Sequence, residues 1–163
     1  MKFIKYQGTQ YPAFQAEGFA AQFAIPFAKQ FCQGHGYDIG CNRLEWCFPG
    51  AVPIDPAIGS TFDAYHLPDG EMDYIFSSHC LEHLADWMDA LDHWTTRLRS
   101  GGILFLYLPH YSQKYWRPWN NRKHLHVLDR EFICDFLQDR GYVNIIGSNA
   151  DLNNSFIVVA EKL

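Results

Sequence analysis

The stretch from Met72 to Pro109 constrains the fold most, because strand, polar switch, amphipathic helix and second buried strand follow one another there without a gap. Met72-Asp73-Tyr74-Ile75-Phe76 is short and mostly apolar and gives way to the small and polar Ser77-Ser78-His79. From Leu81 onward, Leu84, Met88, Leu91 and Leu98 recur at helical spacing, and Ser100-Gly101-Gly102 supplies the left-handed cap expected at a helix end. Ile103 to Leu108 is a continuous apolar run, as in a parallel strand covered on both faces. Open sheets of this kind bind ligands beyond the carboxyl ends of their strands, so Ser77 to His83 and Pro109 to Tyr111 are expected to face one crevice.

The rest of the chain extends this unit. Tyr37-Asp38-Ile39-Gly40 reads as a first strand running into a turn, and Ala51 to Asp55 as a second strand ending on an acid. Only Cys41 to Gly50 separates them, so the first crossover holds little more than one helical turn. Phe62 to Tyr65 reads as a third, edge strand. Asp129 caps a helix whose Phe132, Ile133, Phe136 and Leu137 face inward and which Gly141 ends. Val143 to Ile146 and Phe156 to Ala160 close the sheet. Met1 to Pro12 reads as irregular, and Phe19 to Phe31 as a lid or edge helix interrupted near Pro26. At 163 residues the expectation is one α/β domain, with residues 1–34 as an N-terminal lid or edge segment and 35–163 as the core.

The formal charge of -5 argues against wholesale binding to a phosphate backbone, but the charge is uneven. His93 to Leu128 contains no Asp or Glu and holds Arg97, Arg99, Lys114, Arg117, Arg122 and Lys123, leaving 7 basic against 18 acidic residues elsewhere. No apolar run approaches the roughly 18 residues that a membrane helix needs. Five cysteines, an odd number without a Cys-x-x-Cys pair, point to a reducing, cytoplasmic setting. Many aromatics on an abbreviated fold leave apolar surface that a homodimer would cover.

Gly40 lets backbone approach a ligand, because no Cβ intervenes, and Asp55 ends its strand within reach of ribose hydroxyls. Together with the order of the remaining pieces, these residues make Tyr37 to Leu163 resemble the class I S-adenosylmethionine-dependent methyltransferases, in particular the branch acting on small molecules. Asp38-Ile39-Gly40-Cys41 looks like the first cofactor motif, Asp55 like the ribose-binding acid, and Asp63 to Pro68 like the adenine segment. Phe76 to Leu84 looks like the fourth motif, Leu98 to Gly102 like the turn before strand five, and His124-Leu125-His126 followed by Asp129 to Phe132 like the last helix of that branch. The resemblance implies a Rossmann-like three-layer sandwich, mostly parallel with an antiparallel closing strand and shortened early helices. It implies S-adenosylmethionine as cofactor and a small-molecule methyl acceptor as partner. Gly40 and Cys41 would approach the methionine part, Asp55 the ribose, Asp63 and Ala64 the adenine and Ser77 the amino-acid end, with Asp38 orienting the loop. Asn42 and Leu44 stand where the family commonly has glycines.

Histidine titrates in the range useful to a general base, and His79 and His110, at the ends of adjacent strands, are the candidates for that role. His83, Tyr111, Trp116, Arg117 and Arg122 follow the same strand ends and would meet substrate, the arginines clamping a carboxylate or phosphate of an anionic molecule. Three rivals remain at this point. His79-Cys80-Leu81-Glu82-His83 matches the inverted zinc-protease pattern His-x-x-Glu-His, although the site reading assigns no metal. A nucleic-acid methyltransferase would use the basic window, against which the acidic remainder argues. A non-catalytic binding module would have kept the fold and lost the cofactor.

Overall fold

The computed structural model of the chain describes residues 2–13, 16, 18–120 and 123–163. Its element order is β1 (Phe3–Tyr6), β2 (Thr9–Pro12), α1 (Ala21–Ala28), β3 (Gly36–Ile39), β4 (Val52–Ile54), β5 (Met72–Ser78), α2 (Trp87–Arg97), β6 (Leu98–Pro109), α3 (Arg130–Gln138), β7 (Tyr142–Gly147) and β8 (Ser155–Lys162). Six strands form one sheet in the order β4-β3-β5-β6-β8-β7, and β1 and β2 form a separate hairpin. β4, β3, β5 and β6 run parallel, whereas β8 is antiparallel to both β6 and β7. Ile39 lies beside both Ile54 and Ser77, and Ser77 beside Leu106, so β4, β3 and β5 end within about one residue of one another while β6 runs on to Pro109. These features make the α/β sandwich anticipated from the sequence.

Side-chain alternation along the strands sends different chemistry to the two faces. Ile39, Ile75, Leu104, Leu106 and Leu108 enter an aliphatic core with Trp87, Leu91 and Trp94 of α2 and Ile133 and Leu137 of α3. Tyr74, Phe76, Phe105 and Tyr107 point to the other face, where α1 contributes Ala24 and Ala28 and the first crossover contributes Phe48. Phe76 stacks on Phe105 at 5.5 Å, and Phe48, Phe27 and Phe31 extend the ring cluster. Rings therefore fill the face that the shortened crossovers leave with little helix.

Several local expectations change. Residues 3–12 form a hairpin, because Gln7 and Gly8 both take positive φ, 46° and 80°, as a tight two-residue turn needs. Within the segment expected as a lid or edge helix, α1 packs on a sheet face, and the helix runs through Pro26 without the expected interruption. Phe62 to Tyr65 is no strand. It is a turn in which Asp63 Oδ1 accepts the Tyr65 and His66 N–H groups at 2.8 and 2.9 Å, with a single Asp63–His66 bridge. The helix expected from Leu81 starts only at Trp87, after one 3₁₀ turn (Leu81–His83) and an extended Leu84. Ser100-Gly101-Gly102 lies not in a helix cap but in an irregularity of β6, where the pairing with β5 jumps from Met72–Leu98 to Tyr74–Ile103. Phe132 is half exposed, while Ile133, Phe136 and Leu137 are buried.

Asp38 anchors the short first crossover from within the core. Its carboxylate is 1% exposed, and Oδ2 accepts the Phe48 N–H at 2.6 Å, which holds down the far end of the loop. Burial outweighs that bond and, with the charge of Asp55 nearby, pushes the Asp38 carboxyl up to about 7.

Two outcomes are expected. Phe105→Ala removes the ring that Phe27, Phe31 and Phe76 share and should lower unfolding free energy by about 3–5 kcal/mol in urea titrations. For Asp38, the folded-state value lies above the unfolded one, so the folded chain binds more protons between them and stability falls as pH rises from about 4 to about 7. Asp38→Asn keeps an acceptor for Phe48 and cannot ionise. Its stability relative to the parent should therefore rise by about 1–3 kcal/mol between about pH 4.5 and pH 8, the full shift being discounted for relaxation.

Candidate functional site

One large cavity, of about 520 Å³, opens at the carboxyl ends of the parallel strands. Gly40, Asp55, Asp63 and Ala64 line it on one side, and Ala16, Gly18 and Ala20, preceding α1, complete that wall. Gly40 has φ 86°, and a Cβ there would lie 2.6 Å from Cys80 Sγ, so only glycine fits. Asn42 keeps the turn at φ 61° in place of a glycine, and its N–H donates to Asp55 Oδ2 at 2.7 Å. Asp55 Oδ1 accepts the Ala57 N–H at 2.8 Å. That leaves further lone pairs of the carboxylate for a ligand. Leu44, at the other expected glycine position, is 64% exposed in a 3₁₀ turn and stays out of the wall.

Three expected cofactor residues, Ser77, Asp38 and Cys41, lie off the main cavity. Ser77 is fully buried, and its hydroxyl donates to the Ile39 carbonyl at 2.9 Å, so it ties β5 to β3 and does not reach the cavity. Strand alternation brings Ser78 to the wall instead, where Oγ is buried without a hydrogen-bond partner. Asp38 and Cys41 line a small recess beside the main cavity, together with Gly40, Trp46 and Ser78.

The opposite wall carries His79, His83, Gln113, Trp116, Lys123 and His124. Beneath it lies Glu82, fully buried, with no hydrogen bond to either carboxylate oxygen. Burial pushes the Glu82 carboxyl up to about 8. Three imidazoles surround it: His79 Nδ1 at 3.5 Å, His83 Nε2 at 3.8 Å and His124 Nε2 at 3.8 Å from Oε1. Burial and the neighbouring His83 push His79 and His124 down to about 3, and burial lowers His83 as well. His79 takes φ 51°, its N–H donates to the Tyr107 carbonyl, and its Nε2 meets Ser155 Oγ at 2.9 Å. It is thus in the cavity as expected, but it holds a proton too weakly to be an effective base at neutral pH.

The segment 123–126 is clamped to this turn. His83 Nδ1 donates to the Lys123 carbonyl at 2.6 Å, and the Leu125 and His126 N–H groups donate to the Glu82 carbonyl. His126 Nε2 meets the Leu84 carbonyl at 2.8 Å. Trp116 stacks on His124 at 4.8 Å, and Tyr115 beside it packs on Tyr6 of the hairpin.

His110 is not brought to the main cavity. Together with Tyr111 and Arg117 it lines a separate narrow recess, which shares only Gln113, Trp116 and His124 with the larger space. Arg117 directs Nε and Nη2 to the Tyr111 carbonyl and lies over Trp119, while Arg97 and Arg99 pair with Asp69 and Asp73. The basic window is thereby partly neutralised within the fold. Arg122 lies outside the described residues. The His-x-x-Glu-His pattern does not share one helical face, since His79 precedes a single 3₁₀ turn. Gln113 is a wall residue without any signal in the sequence, while Ser78, Asn42, Lys123 and His124 belong to the expected crevice, loop, basic window and last motif without an assigned site role. The doublets Glu82-His83 and His124-Leu125-His126 were the available signal for His124.

A family model described as a methyltransferase domain matches residues 20–145. No curated protein sequence matches the chain. Among solved structures, the N-methyltransferase NodS from Bradyrhizobium japonicum WM9 in complex with S-adenosyl-L-homocysteine is similar at 18% identity and a TM-score of 0.60, covering 93% of this chain and 88% of that one. A S-adenosylmethionine-dependent methyltransferase from Archaeoglobus fulgidus aligns at 16% identity and TM-score 0.65 over 91% and 98% of the two chains. Another from Thermotoga maritima aligns at 15% identity and TM-score 0.67 over 92% of each. With the family match spanning most of its length and the sheet order to go with it, the chain belongs to the methyltransferase-domain family and is a class I S-adenosylmethionine-dependent methyltransferase.

Proposed function

We propose that the chain transfers a methyl group from S-adenosylmethionine to a small molecule held against the His79, His83, Trp116 and His124 wall. The observation that carries this reading is the single cavity joining two chemically distinct walls, one of backbone, carboxylates and an unpartnered hydroxyl, the other of imidazoles and an indole. Its volume falls within the range of about 300–1,000 Å³ usual for small-molecule sites.

The donors suit the cofactor. The Asp55 carboxylate keeps lone pairs for two vicinal hydroxyls, Ser78 Oγ offers a buried donor and acceptor without a protein partner, and Gly40 presents backbone where a side chain would intrude. Bound there, S-adenosylmethionine supplies a methyl group already activated by its positive sulfur. What remains for the protein is chiefly to hold the acceptor in line, which is worth effective molarities of about 10⁵ M or more. Trp116 covers one side of the acceptor space, and Lys123 gives that wall the cation that an anionic acceptor would meet.

Calorimetric titration with S-adenosylmethionine and S-adenosyl-L-homocysteine tests the reading, and both should bind. Asp55→Asn keeps an acceptor for one backbone N–H but removes the charge. Its affinity for both should fall about tenfold or more with little change in melting temperature. Binding of neither compound to the parent would remove the proposed reaction, and unaltered affinity in Asp55→Asn would remove the ribose role alone.

A further inference from the structure

We propose that Glu82, His83 and His124 form a binding site for a single zinc-type divalent cation, whose open fourth position faces the cavity. One oxygen of Glu82 and one nitrogen of each imidazole lie within 4.8 Å of one another. The separations of 3.8 Å from Glu82 Oε1 to His83 Nε2 and to His124 Nε2 are too long for hydrogen bonds. These two separations are close to the roughly 3.3–3.5 Å between donors that share a tetrahedral zinc at 2.0–2.1 Å, and the third pair of donors stays within 4.8 Å.

The protonation pattern points the same way. His83 Nδ1 carries its proton toward the Lys123 carbonyl, so Nε2 presents a lone pair to Glu82. A buried carboxylate with neither oxygen hydrogen-bonded, facing an imidazole lone pair, is unfavourable unless a proton or a cation lies between them. At 3.8 Å a proton alone does not bridge the two atoms. The surroundings are those of a supported metal site. The Lys123 carbonyl fixes the His83 ring, Trp116 stacks on His124, and the Leu125 and His126 amides lock the two ligand-bearing segments together. His79 Nδ1 lies 3.5 Å from the same Glu82 oxygen.

Two imidazoles and one carboxylate are the donor set that catalytic zinc sites use, with the fourth position left to water or substrate. His83 and His124 both line the cavity, so a ligand in the cavity would reach that position from their side. If the chain methylates as proposed above, on which this step alone rests, an acceptor hydroxyl or thiol binds the metal there. Its O–H or S–H bond breaks, the proton leaves to solvent, and the heteroatom keeps the electron pair for attack.

The test is equilibrium dialysis of the purified full chain against Zn²⁺, followed by Co²⁺ substitution and visible absorption. The parent should hold one equivalent and give tetrahedral Co²⁺ bands, whereas Glu82→Gln, His83→Ala and His124→Ala should each weaken zinc binding about tenfold or more. His83→Ala alters a partly exposed ring, so its folding is the least at risk, and His35→Ala, at the other end of the sheet, should bind zinc like the parent. A folded parent that takes up no stoichiometric zinc, or variants that all bind it as the parent does, would overturn the site. S-adenosyl-L-homocysteine titrated into the same samples separates failure of the metal site from failure of the methyl-transfer reading.

Discussion

The sheet can remain upright on so few helices because its two faces are filled by different chemistry. On the aliphatic face α2 and α3 cover Ile39, Ile75, Leu104, Leu106 and Leu108. On the other face the crossovers before β4 and β5 contain only 3₁₀ turns, and α1 is the one helix packed there among the described residues. Tyr74, Phe76, Phe105, Tyr107 and Phe48 take up the missing volume, since an aromatic side chain buries as much surface as several smaller ones. The high aromatic fraction is therefore a structural requirement of the short crossovers.

Much of this was legible in the sequence. The apolar run of β6, the acidic end of β4, the Asp129 cap and the closing strands all follow local rules, and each is found. What misled were places where tertiary contacts override a local signal. Leu81 to Leu84 has helical spacing, yet the chain is diverted into a 3₁₀ turn because the Glu82 carbonyl is claimed by Leu125 and His126. The Phe62 to Tyr65 pattern looks like a strand, but Asp63 folds it back on itself. Gly101 and Gly102 looked like a cap and serve instead where β6 slips past β5. The hairpin turn escaped notice because Gln-Gly is a weaker signal than Asn-Gly or Asp-Gly.

At the site, strand alternation explains the main displacement. A serine pair at the end of a buried strand points one hydroxyl into the sheet and one into the crevice, and only the neighbours decide which. Gly40 and Asp55 line the cavity from a turn and a strand end that local rules point to, and Asp63 and Ala64 from the segment the family resemblance implies, whereas Glu82 and His124 are 42 residues apart in sequence and meet only through the clamp. A motif spanning five residues concealed a cluster whose third donor comes from a distant loop.

That clamp also divides the chain into parts that can change independently. The connection after β6 is tied at its start, where the His110 N–H bonds to the Asn154 carbonyl and Gln113 Nε2 to the Asn153 carbonyl and Ser155 Oγ. At its end the backbone of Lys123, Leu125 and His126 is tied to Glu82 and His83. Between these two fastenings, residues 114–120 and the rings they bring are carried by few bonds to the sheet. Substitutions there can reshape the acceptor space while the sheet, the carboxylate wall and the buried histidines stay in register. Residues 114–120 are thus the part of the cavity wall least committed to the sheet.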